Sequence, residues 1–124
     1  MSATVIIPTT GSPEVKTAVE SVLNQSHPTE CYVVIDGDEN MDKTLEVLGS
    51  TIDDIRVHIC SLPINVGANG FYGHRVYAAF THLINTEYVG YLDQDNWLYR
   101  SHIEQCIKTI NTRSLDWCYS LRQI

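Results

Sequence analysis

Two uninterrupted apolar runs, Val5-Ile6-Ile7 and Tyr32-Val33-Val34-Ile35, constrain the fold of this chain more than any other feature. Alternate residues of a strand face opposite sides of a sheet, so a run without a polar break is stable only where both faces are covered. Segments of helical period lie between such runs. Val15, Ala18, Val19, Val22 and Leu23 keep the i, i+3, i+4, i+7, i+8 spacing of one buried stripe, up to about Gln25, and His27-Pro28 ends it. Val76, Ala79, Phe80, Leu83 and Ile84 repeat the stripe, and a weaker helix spans residues 43–48. Strand and helix in alternation is the signature of βαβ units. The expected fold is α/β, a three-layer α/β/α arrangement around a mostly parallel, Rossmann-like sheet.

Three more strands are expected: residues 55–60, whose alternation reads as an edge exposed on one face, residues 88–92, and residues 115–121. Ser12 with Pro13 is an expected helix start, and Ser101 with Glu104 forms a capping-box pair before Ile103, Cys106, Ile107 and Ile110. No repeat or linker interrupts the 124 residues, which read as a single domain.

Composition removes several function classes. No apolar run approaches the ~18 residues of a membrane span. The first Lys is Lys16 and the opening apolar run is short, which is not the pattern of a signal peptide, so a cytoplasmic location is expected. Eight Lys and Arg against 15 Asp and Glu leave a net charge of −7, which disfavours nucleic acid or an anionic membrane as partner. Cys31, Cys60, Cys106 and Cys118 form no C-x-x-C pair and are expected to be reduced, mostly buried thiols. The five histidines show no metal spacing, and neither G-x-x-x-x-G-K-[ST] nor G-x-S-x-G occurs. A phosphoacceptor receiver needs an acidic pair after the first strand, where this chain has Pro8-Thr9-Thr10.

In open α/β sheets, ligands bind at the carboxyl ends of the strands, where loops diverge and helix N-termini point outward. Four features fall there: Pro8, Thr9 and Thr10 after the first strand, Asp36 to Asp38 after the second, the loop from Asn65 to Gly73 after the third, whose Gly67, Gly70 and Gly73 can let backbone approach a ligand, and Asp93-Gln94-Asp95 after the fourth. Residues two apart in an extended segment project to one side, so Asp93 and Asp95 can place carboxylate oxygens around one hard cation, Mg²⁺ or Mn²⁺. Alternatively they are solvated acids or turn formers. Asp36 and Asp38 can accept hydrogen bonds from a base or ribose, or form an ordinary Asp-Gly turn. Arg75 can reach a phosphate or pair with Asp36. Among the aromatic residues, Trp97 and Tyr99 are expected near a site because they follow Asp95 closely.

Val5-Ile6-Ile7-Pro8-Thr9, Ser21-Val22-Leu23-Asn24-Gln25-Ser26, Val34-Ile35-Asp36-Gly37, Asn65-Val66-Gly67 and Tyr91-Leu92-Asp93-Gln94-Asp95-Asn96 occur in the order seen in family 2 glycosyltransferases of the GT-A fold. The chain resembles that family over nearly its whole length, but only its donor-binding half, which implies a truncated GT-A domain and a missing C-terminal part. The resemblance implies inverting transfer of a sugar from a UDP- or GDP-linked donor to a hydroxyl of a saccharide or other acceptor, with Mn²⁺ or Mg²⁺. It places Pro8, Thr9, Thr10, Asn65, Gly67 and Gln94 at the donor, Asp36 at the base, and Arg75 near the diphosphate. Asp93 would face ribose or phosphate and metal, and Asp95 would be the main metal ligand. Two departures stand out. The family usually has two acids after the second strand, where this chain has Asp36 followed by Gly37. Neither Glu104 nor Asp116 matches the family's general base, so no base is assigned. The alternative is a non-catalytic module that binds a nucleotide-sugar or docks a partner.

Overall fold

The structure, a computed structural model, describes residues 2–121. Its centre is strand β1 (Ala3–Thr9), buried at every position. Beside it run β2 (Thr29–Ile35), β3 (Val57–Ser61) and β4 (Tyr88–Tyr91), in the order β3-β2-β1-β4. All pairings are parallel, with Ala3 opposite Thr29 on one side and Tyr88 on the other.

The helices are α1 (Val15–Leu23), α2 (Met41–Leu48), α3 (His74–Thr81) and α4 (His102–Arg113). The first two crossovers step outward from β1 to β3, and the third steps back across to β4. Right-handed connections therefore put α1 and α2 on one face and α3 on the other. The core divides accordingly. Ala3, Val5, Ile7, Cys31 and Val33 pack with Val15, Ala18, Val19 and Val22 of α1, Leu48 of α2, and Ile103 and Ile107 of α4. Ile6 and Val34 point the other way, onto Val76 and Phe80 of α3. Both apolar runs are thus consumed by a sheet covered on two sides, each fully buried Ile or Val stabilising by about 1.5–3 kcal/mol.

Several expected details differ. Residues 115–121 pair with no strand among the described residues. Trp117 and Tyr119 stack on each other at 5.7 Å and stay exposed, because no neighbouring strand offers them a ladder. α3 stops at Thr81, where His82 and Leu83 bond to carbonyls only three residues back, and the tightened turn swings Leu83 out to solvent. The capping box does not form: Ser101 makes no side-chain cap bond. α4 is capped instead from outside, by Gln25 Oε1 accepting from the Ile103 N–H at 3.0 Å, while Gln25 Nε2 donates to the Tyr99 carbonyl at 2.7 Å. Ser21 Oγ also accepts from the Leu98 N–H at 3.1 Å. The Ser21 to Ser26 stretch therefore braces the segment after Asp95.

Pro8 lies within β1, not at its end, opposite Val34. The Ile6 carbonyl accepts from the Leu92 N–H, so Ile6 faces β4, and by the two-residue period Pro8 faces that side too. β4 has already diverged there, so the missing N–H of Pro8 leaves no ladder bond unmade. All four thiols are free, and Cys31 alone is fully buried while the other three are half-buried. Among the described residues no helix is long and apolar enough to cross a membrane.

Candidate functional site

The strand order reverses between β1 and β4, and their carboxyl ends open a crevice there, the position at which open α/β sheets take ligands. A cavity of about 480 Å³ occupies it, walled by Pro8, Thr9, Thr10, Asp36, Asn65, Gly67, Asp93, Gln94 and Asp95 together with Tyr72, Gly73, His74 and Tyr77.

Asp36, at the exit of β2, is 3% exposed. Its Oδ1 accepts from the Val66 N–H at 2.7 Å and its Oδ2 from the Gly67 N–H at 2.8 Å. A carboxylate bridging two consecutive amides fixes the backbone of the loop, and Asn65 Oδ1 adds a third bond to the Gly67 N–H at 3.0 Å. Arg75 does not pair with Asp36. Its guanidinium lies over the Phe71 ring at 3.4 Å and reaches the Val66 carbonyl, off the cavity wall. Asp38 is exposed and accepts from the Ser61 hydroxyl. Trp97 and Tyr99 meet edge-to-face at 4.9 Å, also away from the wall.

Gln94 sits where β4 leaves the sheet, and its Oε1 faces the β1–α1 loop. It accepts from Thr9 Oγ1 at 2.7 Å, from the Thr10 N–H at 3.1 Å and from the Ser12 N–H at 3.4 Å. Such a ring of donors beside a helix start is where a dinucleotide fold binds phosphate. Here a neutral amide oxygen of the chain fills it. Gln94→Met keeps the length without the acceptor, and urea unfolding should show a loss of about 1–3 kcal/mol from the donors left unpaired.

The two acids flanking Gln94 differ. Asp93 Oδ1 accepts from the Tyr77 hydroxyl at 2.7 Å. Burial, with the Asp93 and Asp95 charges, pushes the Tyr77 phenol far above its usual value, so it stays a proton donor. Asp95 has no hydrogen-bond partner among the described residues and stands exposed on the wall. No group of three or more His, Cys, Asp or Glu side chains among the described residues is set to hold a metal ion. Two carboxylates suit Mg²⁺ or Mn²⁺ nonetheless, since such ions are often held by one or two acids with phosphate and water supplying the rest.

Gly73 closes the glycine-rich loop expected at this edge and is a close-approach glycine, since a Cβ there would lie 2.9 Å from Pro8 Cγ and 3.3 Å from Tyr77 Cε2. Tyr72, His74 and Tyr77 were not placed at the site by the sequence. Tyr72, at φ 50°, presents its ring by an uncommon backbone conformation that no pattern announces.

A profile of the family described as Glycosyl transferase family 2 matches residues 4–122. No curated protein matches the chain. Among solved structures it is similar to S. aureus TarS 1-349, with a TM-score of 0.75 at 18% identity over 99% of this chain and 39% of that one. At that identity the likeness is one of fold, and the chain spans well under half the length of that structure.

Proposed function

The chain belongs to glycosyl transferase family 2, and from its cavity we infer that it binds the nucleoside diphosphate part of a sugar donor, UDP- or GDP-linked, for transfer to an acceptor hydroxyl. One observation carries this reading. The wall holds the carboxylates of Asp36, Asp93 and Asp95, no Lys or Arg, and a phosphate nest already closed by Gln94. An anion binds such a wall only through a cation, and Asp95 with Asp93 is the place for one. Mn²⁺ or Mg²⁺ held there supplies the positive charge that stabilises a departing diphosphate.

The other wall residues divide the remaining work. Pro8 offers an apolar ring edge and Thr10 a hydroxyl to a nucleoside, the Thr9 hydroxyl being held by Gln94, and the Asn65–Gly67 backbone stays close to it because Asp36 pins the Val66 and Gly67 amides. Direct displacement by an acceptor hydroxyl inverts the anomeric carbon and needs a base within hydrogen-bond reach. Both oxygens of Asp36 already serve backbone amides, and Asp93 and Asp95 face the cation. No wall carboxylate is left for that step, which supports the second reading, a binding or docking module supplying only the donor side of a longer enzyme.

Calorimetric titration with UDP and GDP, with and without Mn²⁺, tests the first reading. Binding should require the metal, and Asp95→Asn should weaken it by at least about tenfold. Binding indifferent to Asp95→Asn excludes it. Donor hydrolysis separates the two readings: sugar released above a metal-only control marks a competent site, and none marks a binder.

A further inference from the structure

The bond between Tyr77 and Asp93 joins α3 to the exit of β4, two elements that both contribute to the cavity wall. The Tyr77 ring is held from several directions. Tyr91 meets it edge-on at 5.0 Å and 67°. Thr81 Oγ1 donates to the Tyr77 carbonyl at 2.6 Å and shares a second bond of 2.8 Å with the Tyr91 hydroxyl. Gly73, bare of a side chain, lets the ring lie against the start of α3. A ring gripped this way aims its hydroxyl at a fixed point.

We propose that Tyr77 is a positioning residue that fixes the Asp93 carboxylate by its Oδ1, leaving a single Asp93 oxygen beside the two unpartnered oxygens of Asp95 for a divalent ion. This rests on the donor-binding reading given above. A carboxylate with one oxygen already bonded to a neutral donor binds a cation through the other. That one-oxygen mode suits the octahedral demand of Mg²⁺, and of Mn²⁺, which takes the same hard oxygen ligands, better than Ca²⁺, which accepts two-oxygen ligation and irregular geometry. Tyr77 thus acts on which ion the site accepts as well as on how tightly, as partners of metal-ligating groups do.

The test compares wild type, Tyr77→Phe, Asp93→Asn and the double variant by titration with UDP and GDP in Mn²⁺, in Ca²⁺ and in EDTA. Tyr77→Phe keeps the ring, and its unliganded melting temperature reports that the fold is retained. The expected result is Mn²⁺-supported binding weakened about tenfold or more, with Ca²⁺-supported binding unchanged and none in EDTA for any variant. In the Asp93→Asn background the same substitution should have no further effect. Equal affinity of Tyr77→Phe and wild type in Mn²⁺ overturns the proposal, as does an equal loss in Ca²⁺, which marks the ring as merely structural. Absence of metal-dependent binding in the wild type instead removes the donor-binding reading, and this inference with it.

Discussion

Asp36→Ala is expected to lower the unfolding free energy by about 3–5 kcal/mol and to abolish ligand binding in the cavity. The carboxylate is 3% exposed and accepts two backbone N–H bonds of 2.7 and 2.8 Å. A hydrogen bond to a charged group is worth about 1.5–3 kcal/mol, and removing the acceptor leaves the Val66 and Gly67 amides without their partner. The loop they belong to carries Asn65, Tyr72 and Gly73 of the wall, so its release opens the cavity as well as weakening the fold. Urea denaturation measures the first effect and nucleotide titration the second. Asp38→Ala is the control: that residue is exposed with one side-chain bond to Ser61, and its loss should stay within about 1 kcal/mol. A change of that size at Asp36 would show that the loop is held by something else.

Gly67→Ala should be nearly as damaging, by crowding in place of lost bonding. A Cβ at Gly67 would stand 2.1 Å from the Tyr72 carbonyl oxygen and 2.7 Å from Asp36 Oδ2. The first is backbone and the second is fixed by two amides, so neither yields without moving the loop. Forcing atoms into a packed site costs about 1–3 kcal/mol, and here the strain falls on the Tyr72 N–H to Gly67 carbonyl bond of 2.9 Å that closes the loop. Thermal unfolding and amide shifts over residues 65–73 read the change. Gly70→Ala offers the contrast. Nothing lies within 4 Å of a Cβ there, and the cost is conformational, at φ +88°, about 1–2 kcal/mol. It should leave the cavity and its ligand affinity intact.

The sheet was readable because its signal is simple: residues buried on both faces have no polar alternation, and Val5-Ile6-Ile7 and Tyr32 to Ile35 have none. The stripe of α1 was readable for the same reason, and Val15, Ala18, Val19 and Val22 are all buried. The site was readable where topology alone places residues, at the strand exits: Pro8, Thr9, Thr10, Asp36, Asn65, Gly67, Asp93, Gln94 and Asp95 all reach one cavity. What failed depended on distant partners. Ser101 and Glu104 have capping-box spacing, yet the Ile103 amide goes to Gln25, nearly eighty residues earlier. Residues 115–121 have strand composition without a neighbouring strand to pair with. The pairing of Arg75 with Asp36 does not form, because Phe71, four residues back, takes its guanidinium instead. Gln94 does line the cavity, but that its oxygen turns toward the β1–α1 loop is set by partners some 84 residues away.

The position of β1 has a consequence for biosynthesis. It leaves the ribosome before β2, β3 and β4 and is flanked by two of them in the finished sheet, one starting at Tyr88, opposite Ala3. A pairing across some 85 residues closes late, since contacts distant in sequence form slowly. Until then a strand buried at every position of the finished sheet waits with one flank open, dependent on whatever shields nascent polypeptide. Substitutions that slow translation between Ser61 and Tyr88 prolong that exposure without touching the native state.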